Sequence, residues 1–143
     1  MKRALTRIAD LVGAGLVAPA DAAALEPVAA RYAVGITPAM VGLIKAPDDP
    51  VGRQFVPSPA ELETRPEERA DPIGDHPHSP VKGLVHRYPD RVLVKLTHTC
   101  PVYCRFCFRR EMVGPDGDGN LTEAELDAAF AYIAAHPAIF EVI

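Results

Sequence analysis

The chain has 143 residues, 48% hydrophobic and 24% charged, enough for one modest domain with a buried core, which excludes wholesale disorder. Its formal net charge of -4 excludes the basic face of a general nucleic-acid binder. No apolar run approaches the ~20 residues of a membrane span, and there is no Trp to build an interfacial belt, so neither nucleic acid nor membrane is expected as a partner.

Residues 1–45 read as short alanine-rich helices, about 4–14, about 20–32 and near 38–45, broken at Gly13, Gly15, Pro19, Gly35 and Pro38. Lys2, Arg3 and Arg7 ahead of the apolar Leu11–Ala18 stretch loosely imitate a secretory signal. Asp10 and Asp21 bracket that stretch, however, and Ile8, Leu11, Val12 and Leu16 fit one face of an ordinary helix. Residues 46–90 hold nine of the 15 prolines and show no periodicity, the pattern of a wrapping segment, a functional loop or disorder. Within it, Glu61 to Arg69 reads as a solvated charged stretch. Asp75, His76 and His78 read as a surface loop, because Pro77 and Pro80 interrupt any regular metal-holding face.

Order returns at Arg91. The apolar, β-branched run Val92–Thr97 predicts a buried strand of a parallel sheet. A cysteine loop follows it, then a polar turn from Gly114 to Asn120. Asp116, Asp118, Asn120 and Asp127 imitate a calcium loop, but Leu121 stands where that loop needs glycine and no helix leads in. Thr122 and Glu125 have capping-box spacing and Leu121 and Leu126 that of a hydrophobic staple, so a helix follows, with Leu126, Phe130 and Ile133 as its buried stripe and His136-Pro137 as its end. Residues 138–143 then predict a second strand. Strand, loop, helix and strand make one βαβ unit, which needs further strands beside it. The expected fold is therefore α/β: a helical region over 1–45, a proline-rich wrapping segment over 46–90, and over 91–143 the start of a (β/α) barrel that continues beyond this chain.

All three cysteines lie in Cys100-Pro101-Val102-Tyr103-Cys104-Arg105-Phe106-Cys107, too odd and too crowded for a disulfide framework. This C-x3-C-x2-C spacing sits at the C-terminal end of the predicted strand, where α/β sheets place ligands. Three thiolates can hold three irons of a four-iron cluster and leave the fourth open. A zinc site completed by His98 or another His, or a set of free core thiols, are the alternatives.

The loop resembles that of the radical S-adenosylmethionine superfamily, in which the open iron binds S-adenosylmethionine. His78-Ser79-Pro80, Gly83 through Leu93, Tyr103-Cys104-Arg105 and Arg109-Arg110, with Asp48-Asp49-Pro50 and Arg53-Gln54 upstream, resemble the N-terminal portion of lysine 2,3-aminomutase and its relatives, over roughly residues 30–143. The resemblance implies an isomerase that moves an amino group of L-lysine from the α to the β carbon, using a 4Fe-4S cluster, S-adenosylmethionine and pyridoxal 5′-phosphate. It implies Cys100, Cys104 and Cys107 as cluster ligands and Phe106 beside the adenosyl group. It also implies Arg87, Tyr88 and Arg91 on the pyridoxal cofactor and Arg109 on the substrate carboxylate. Two guanidinium forks and a phenol within five residues suit a phosphate ester and a pyridinium ring, though such arginines also pair with Asp90 or glutamates. An electron donor such as flavodoxin or ferredoxin, a homo-oligomeric parent and a cytoplasmic location are further implications.

Two departures matter. Phe108 follows the third cysteine where the free-lysine enzymes carry a small polar residue, and Cys-Phe-Arg-Arg resembles instead the branch acting on a lysine of elongation factor P. The family's glycine-rich S-adenosylmethionine motif, Schiff-base lysine and side-chain-reading carboxylates lie past the second strand, so the chain alone is expected to be inactive. The other functional class is a non-catalytic iron–sulfur or zinc-binding fragment.

Overall fold

The computed structural model describes residues 3–114 and 119–143; the calcium-like Asp116 and Asp118, and with them most of the expected polar turn, lie outside the described residues. Short helices build the first half. Helix α1 (Ile8–Gly13) ends in a Gly15 turn, a single 3-10 turn at Pro19–Asp21 leads into α2 (Ala22–Arg31), and α3 (Pro38–Val41) is capped by Thr37. Each is shorter than its apolar pattern predicts: α3 stops at Gly42, whereas α2 keeps Pro27 inside and ends where Tyr32 turns extended. These elements bury Ile8, Leu11, Leu25, Val28, Tyr32 and Ile36 in one apolar cluster, joined by Phe55 of α4 (Gly52–Phe55).

Carboxylates and hydroxyls order the proline-rich segment. Asp49 accepts four backbone N–H groups, from Lys45, Ala46, Val51 and Gly52, at 2.6–3.1 Å. Ser58 and Glu61 form a capping box on the 3-10 turn Pro59–Leu62, and Asp71 accepts from the backbone of Asp75 and His76 at the turn His76–His78. Through these turns side-chain acceptors replace the periodic ladder that proline prevents.

The sheet has three strands in the order β1 (Leu84–Tyr88), β2 (Arg91–Val94), β3 (Glu141–Val142), with β1–β2 antiparallel and β2–β3 parallel. The parallel pair and the helix between, α5 (Glu123–Ala134), form the expected βαβ unit. The hairpin strand β1 has no counterpart in the expectations; Leu84 and Val85 are apolar, but His86, Arg87 and Tyr88 break the run. Gly83 enters β1 with φ +78°, and a Cβ there would lie 2.5 Å from Leu121, so this turn requires glycine.

Three expectations need correction. The strand predicted over Val92–Thr97 ends at Val94; Leu96 is exposed and Thr97 makes only an isolated bridge to Asn120. Residues 138–140 lie outside the strand: Ala138 belongs to the turn closed by Ile139 N–H on His136 O, Phe140 N–H donates to Asp90 O, and β3 starts at Glu141. The buried face of α5 is also rotated: Ala129 is fully buried against Leu84 and Val92, with Tyr132 and Ile133 beside it, whereas Phe130 is 57% exposed. Alanine at the contact lets the helix backbone lie close to the sheet, which a phenyl ring would hold away. Among the described residues, no helix is long and apolar enough to cross a membrane.

Acid should weaken this scaffold. Backbone donors, that of Gly52 foremost, hold Asp49 at about 2 against an ordinary 3.8, and the Thr122 N–H together with Lys82 holds Glu125 at about 2 against 4.5. Depressed carboxyls stabilise the fold fully above their unfolded values and lose that contribution as pH falls through the folded ones. The melting temperature is therefore expected to drop between about pH 4.5 and 2, and Asp49→Asn to flatten that drop in thermal melts across this range.

Candidate functional site

The cysteine loop leaves β2 and crosses to the N-terminal helices, against whose core Val102 and Cys104 pack. Backbone bonds from Tyr103 N–H to Gly35 O (3.0 Å) and from Arg105 N–H to Gln54 O (2.8 Å) fix its path. Gly35 permits this approach, since a Cβ there would stand 2.7 Å from the Tyr103 ring. Arg105, 8% exposed, forms a fork with Glu61 (2.6–3.1 Å) and donates to Ala33 O at 2.8 Å. Glu61 is accordingly no member of a solvated charged stretch: the loop's own guanidinium buries it, which correction leaves Glu63 to Arg69 exposed as expected.

All three cysteines are free thiols, Cys100 exposed and Cys104 and Cys107 half-buried, with Cys107 N–H donating to Cys104 O (3.2 Å). Three free thiols beside three arginines suit the donor chemistry of an anionic iron–sulfur cluster. Among the described residues, however, no three His, Cys, Asp or Glu side chains converge closely enough to hold a metal ion. His98, the alternative fourth zinc ligand, is buried with Nδ1 on Gly119 O at 3.2 Å and its Nε2 without a partner. Phe106 is 68% exposed and, with Cys107, Phe108, Arg31 and Arg110, lines an open depression of about 560 Å³.

The other candidates fall into two groups. Tyr88 and Arg91 are register partners across β1 and β2 and, with Pro89 and Asp90, line an open depression of about 480 Å³. An exposed phenol and a guanidinium on one depression fit a phosphate ester and an aromatic ring. Arg91 is also paired with Asp90 (3.1 Å) and Glu141 (3.1 Å), as the plainer alternative anticipates, and these carboxylates, Asp90 first, raise its pKa further.

Arg87 turns elsewhere. It donates to Ile73 O and to Asp75 Oδ1 (3.3 Å), while Arg109 donates to Asp75 Oδ2 (3.2 Å) and Lys95 lies 3.7 Å from the same oxygen. Asp75 is only 3% exposed, which corrects its assignment to a surface loop; His76 and His78 are exposed as expected. Arg105 and Arg110, the neighbours that compete with Arg109 for a substrate role, are engaged by Glu61 and by the Tyr32 ring (4.6 Å), respectively. Asp75 and Glu61 are the two residues of this site that sequence reasoning missed. The signal that could have found Asp75 is its place just ahead of the His78-Ser79-Pro80 word.

An α/β scaffold with a cysteine loop at the end of a parallel strand and paired arginines beside it defines a candidate cofactor-binding segment. No family model matches the chain. It is similar to L-lysine 2,3-aminomutase of Acetoanaerobium sticklandii, 41% identical over 112 residues, which are 77% of this chain and 27% of that relative. The enzyme of the same name from Bacillus subtilis is 43% identical over 109 residues (74% and 23%), and that of Escherichia coli 39% over 97 (68% and 28%). The chain belongs to the lysine 2,3-aminomutase family, and it spans about a quarter of the length of these relatives.

Proposed function

We propose that this chain is the cofactor-holding front of a radical S-adenosylmethionine, pyridoxal-dependent aminomutase that converts L-lysine to β-lysine. The observation that carries the proposal is the C-x3-C-x2-C loop, locked to the N-terminal core by Arg105 and Glu61, in a chain about 40% identical to lysine 2,3-aminomutases. In this reading β2, α5 and β3 are the first unit of a partial barrel, approached by the helical region 1–45 and the wrapping segment 46–90.

Cys100, Cys104 and Cys107 would hold a 4Fe-4S cluster with one iron left for S-adenosylmethionine, and the depression beside Phe106 would take its adenosyl group. Tyr88, Arg91 and Arg87 would hold pyridoxal 5′-phosphate, and Arg109 the lysine carboxylate, where a planar fork outperforms an ammonium. These groups supply the hydrogen abstraction and the amino-group migration; the protein's part is to bind, orient and shield. A one-electron donor of the flavodoxin or ferredoxin kind and a homo-oligomeric, cytoplasmic parent complete the proposal. We assign binding roles to these 143 residues and expect no turnover from them alone. Phe108 keeps a protein-bound lysine, such as that of elongation factor P, as the alternative substrate.

Anaerobic reconstitution tests the metal assignment. The protein supplied with iron and sulfide should turn brown and retain close to four irons per chain through gel filtration. Preferential retention of one zinc per chain from a mixture of the two metals would overturn it in favour of a non-catalytic zinc-binding segment.

A further inference from the structure

We propose that Asp75 is a positioning residue that sets Arg87 and Arg109 as one paired anion receptor, so that a phosphate ester and an amino-acid carboxylate are gripped in fixed relation. The inference rests on the pyridoxal-dependent reading above.

The geometry carries it. One carboxylate, its side chain 5% exposed, takes Arg87 on Oδ1 at 3.3 Å and Arg109 on Oδ2 at 3.2 Å, with Lys95 3.7 Å from Oδ2. The cations come from three separate places: β1, the end of β2 and the loop after the third cysteine. Asp75 is itself held by its own turn, its N–H donating to Asp71 Oδ1 (2.9 Å) and its carbonyl accepting from Ser79 Oγ (2.8 Å) and His78 N–H (3.0 Å). Three cations on one anion leave two positive charges in excess. Each arginine meets Asp75 through one Nη2, and Arg109 Nε is buried with no hydrogen-bond partner. A buried guanidinium N–H without an acceptor is costly unless a ligand supplies one. An amino-acid carboxylate is such an acceptor, and the excess charge matches the anions that the two arginines are assigned.

The role has a sign that separates it from simple charge balance. As a mere counter-ion, Asp75 competes with anions, and its neutralisation would tighten their binding. As a positioning group, its loss or displacement frees two arginines and weakens binding of both anions together. The experiment uses Asp75→Asn and Asp75→Glu in this chain. Pyridoxal 5′-phosphate and lysine affinities are read separately by equilibrium dialysis, and folding by thermal melting.

Asp75→Glu keeps the charge but moves the carboxylate. It is expected to raise the pyridoxal 5′-phosphate Kd and the lysine Kd together by roughly tenfold, with the melting temperature little changed. Asp75→Asn should do at least as much. Unchanged or tighter binding in Asp75→Glu and Asp75→Asn would overturn the positioning role and leave the pyridoxal reading standing. A parent protein that binds neither pyridoxal 5′-phosphate nor lysine would overturn both.

Discussion

Arg105→Ala should lower the stability of this protein by about 3–5 kcal/mol, the usual cost of removing one partner of a buried ion pair. Arg105 and Glu61 are 7% and 12% exposed at their side chains, and the substitution strands the Glu61 carboxylate in a place built for a guanidinium. It also removes the bond to Ala33 O, so the loop loses its tie to both the wrapping segment and the N-terminal helices. Urea unfolding measures the first effect. The second is read by thiol modification in the metal-free protein: Cys104 and Cys107 should react faster, while Cys100, already exposed, should not change. Arg105→Lys should be intermediate, since an ammonium cannot reproduce a fork and a carbonyl contact at once. Equal thiol rates in the parent and in Arg105→Ala would show that the pair does not hold the loop.

Serine at Cys100, Cys104 or Cys107 should abolish retention of a complete iron–sulfur cluster, each alone as effectively as all three. A cluster held by three thiolates has none to spare, and a hydroxyl is a harder, less acidic ligand. The three variants should differ in stability. Cys100→Ser, at an exposed position, should melt like the parent, whereas Cys104→Ser, which puts a hydroxyl beside the core containing Phe55 and Ile36, should melt lower. Iron analysis after anaerobic reconstitution, paired with thermal melts, separates loss of ligand from loss of fold. Full iron retention in any single variant would remove that cysteine from the ligand set.

The βαβ unit was legible because its signals are local. Thr122 and Glu125 form the capping box that their spacing announces, and the apolar run from Val92 lies in a parallel pair. Boundaries were less legible: Leu96 and Phe130 are apolar but exposed, since burial depends on which neighbours cover each face and not on the side chain alone. Strand β1 was hidden because the polar and exposed His86, Arg87 and Tyr88 break the hydrophobic periodicity. The proline-rich segment has no period, so its order comes from single acceptors such as Asp49 that no pattern marks.

At the site, the cysteine spacing stands out without any structure, because ligand spacing is itself a sequence property. The roles of Asp75 and Glu61 do not, because each depends on partners 12 to 44 residues away. A carboxylate in a charged, proline-interrupted stretch looks solvated until the chain folds a guanidinium onto it. Both corrections concern buried acids meeting arginines from the cysteine loop, the contacts that join the wrapping segment to the site.

The most direct test of the account is cofactor binding by this chain, reconstituted anaerobically with iron and sulfide and then given S-adenosylmethionine and pyridoxal 5′-phosphate. The account predicts that the cluster-loaded chain retains both, and that serine at any one of the three cysteines releases the S-adenosylmethionine. A chain that retains its iron–sulfur cluster yet binds neither S-adenosylmethionine nor pyridoxal 5′-phosphate would contradict it.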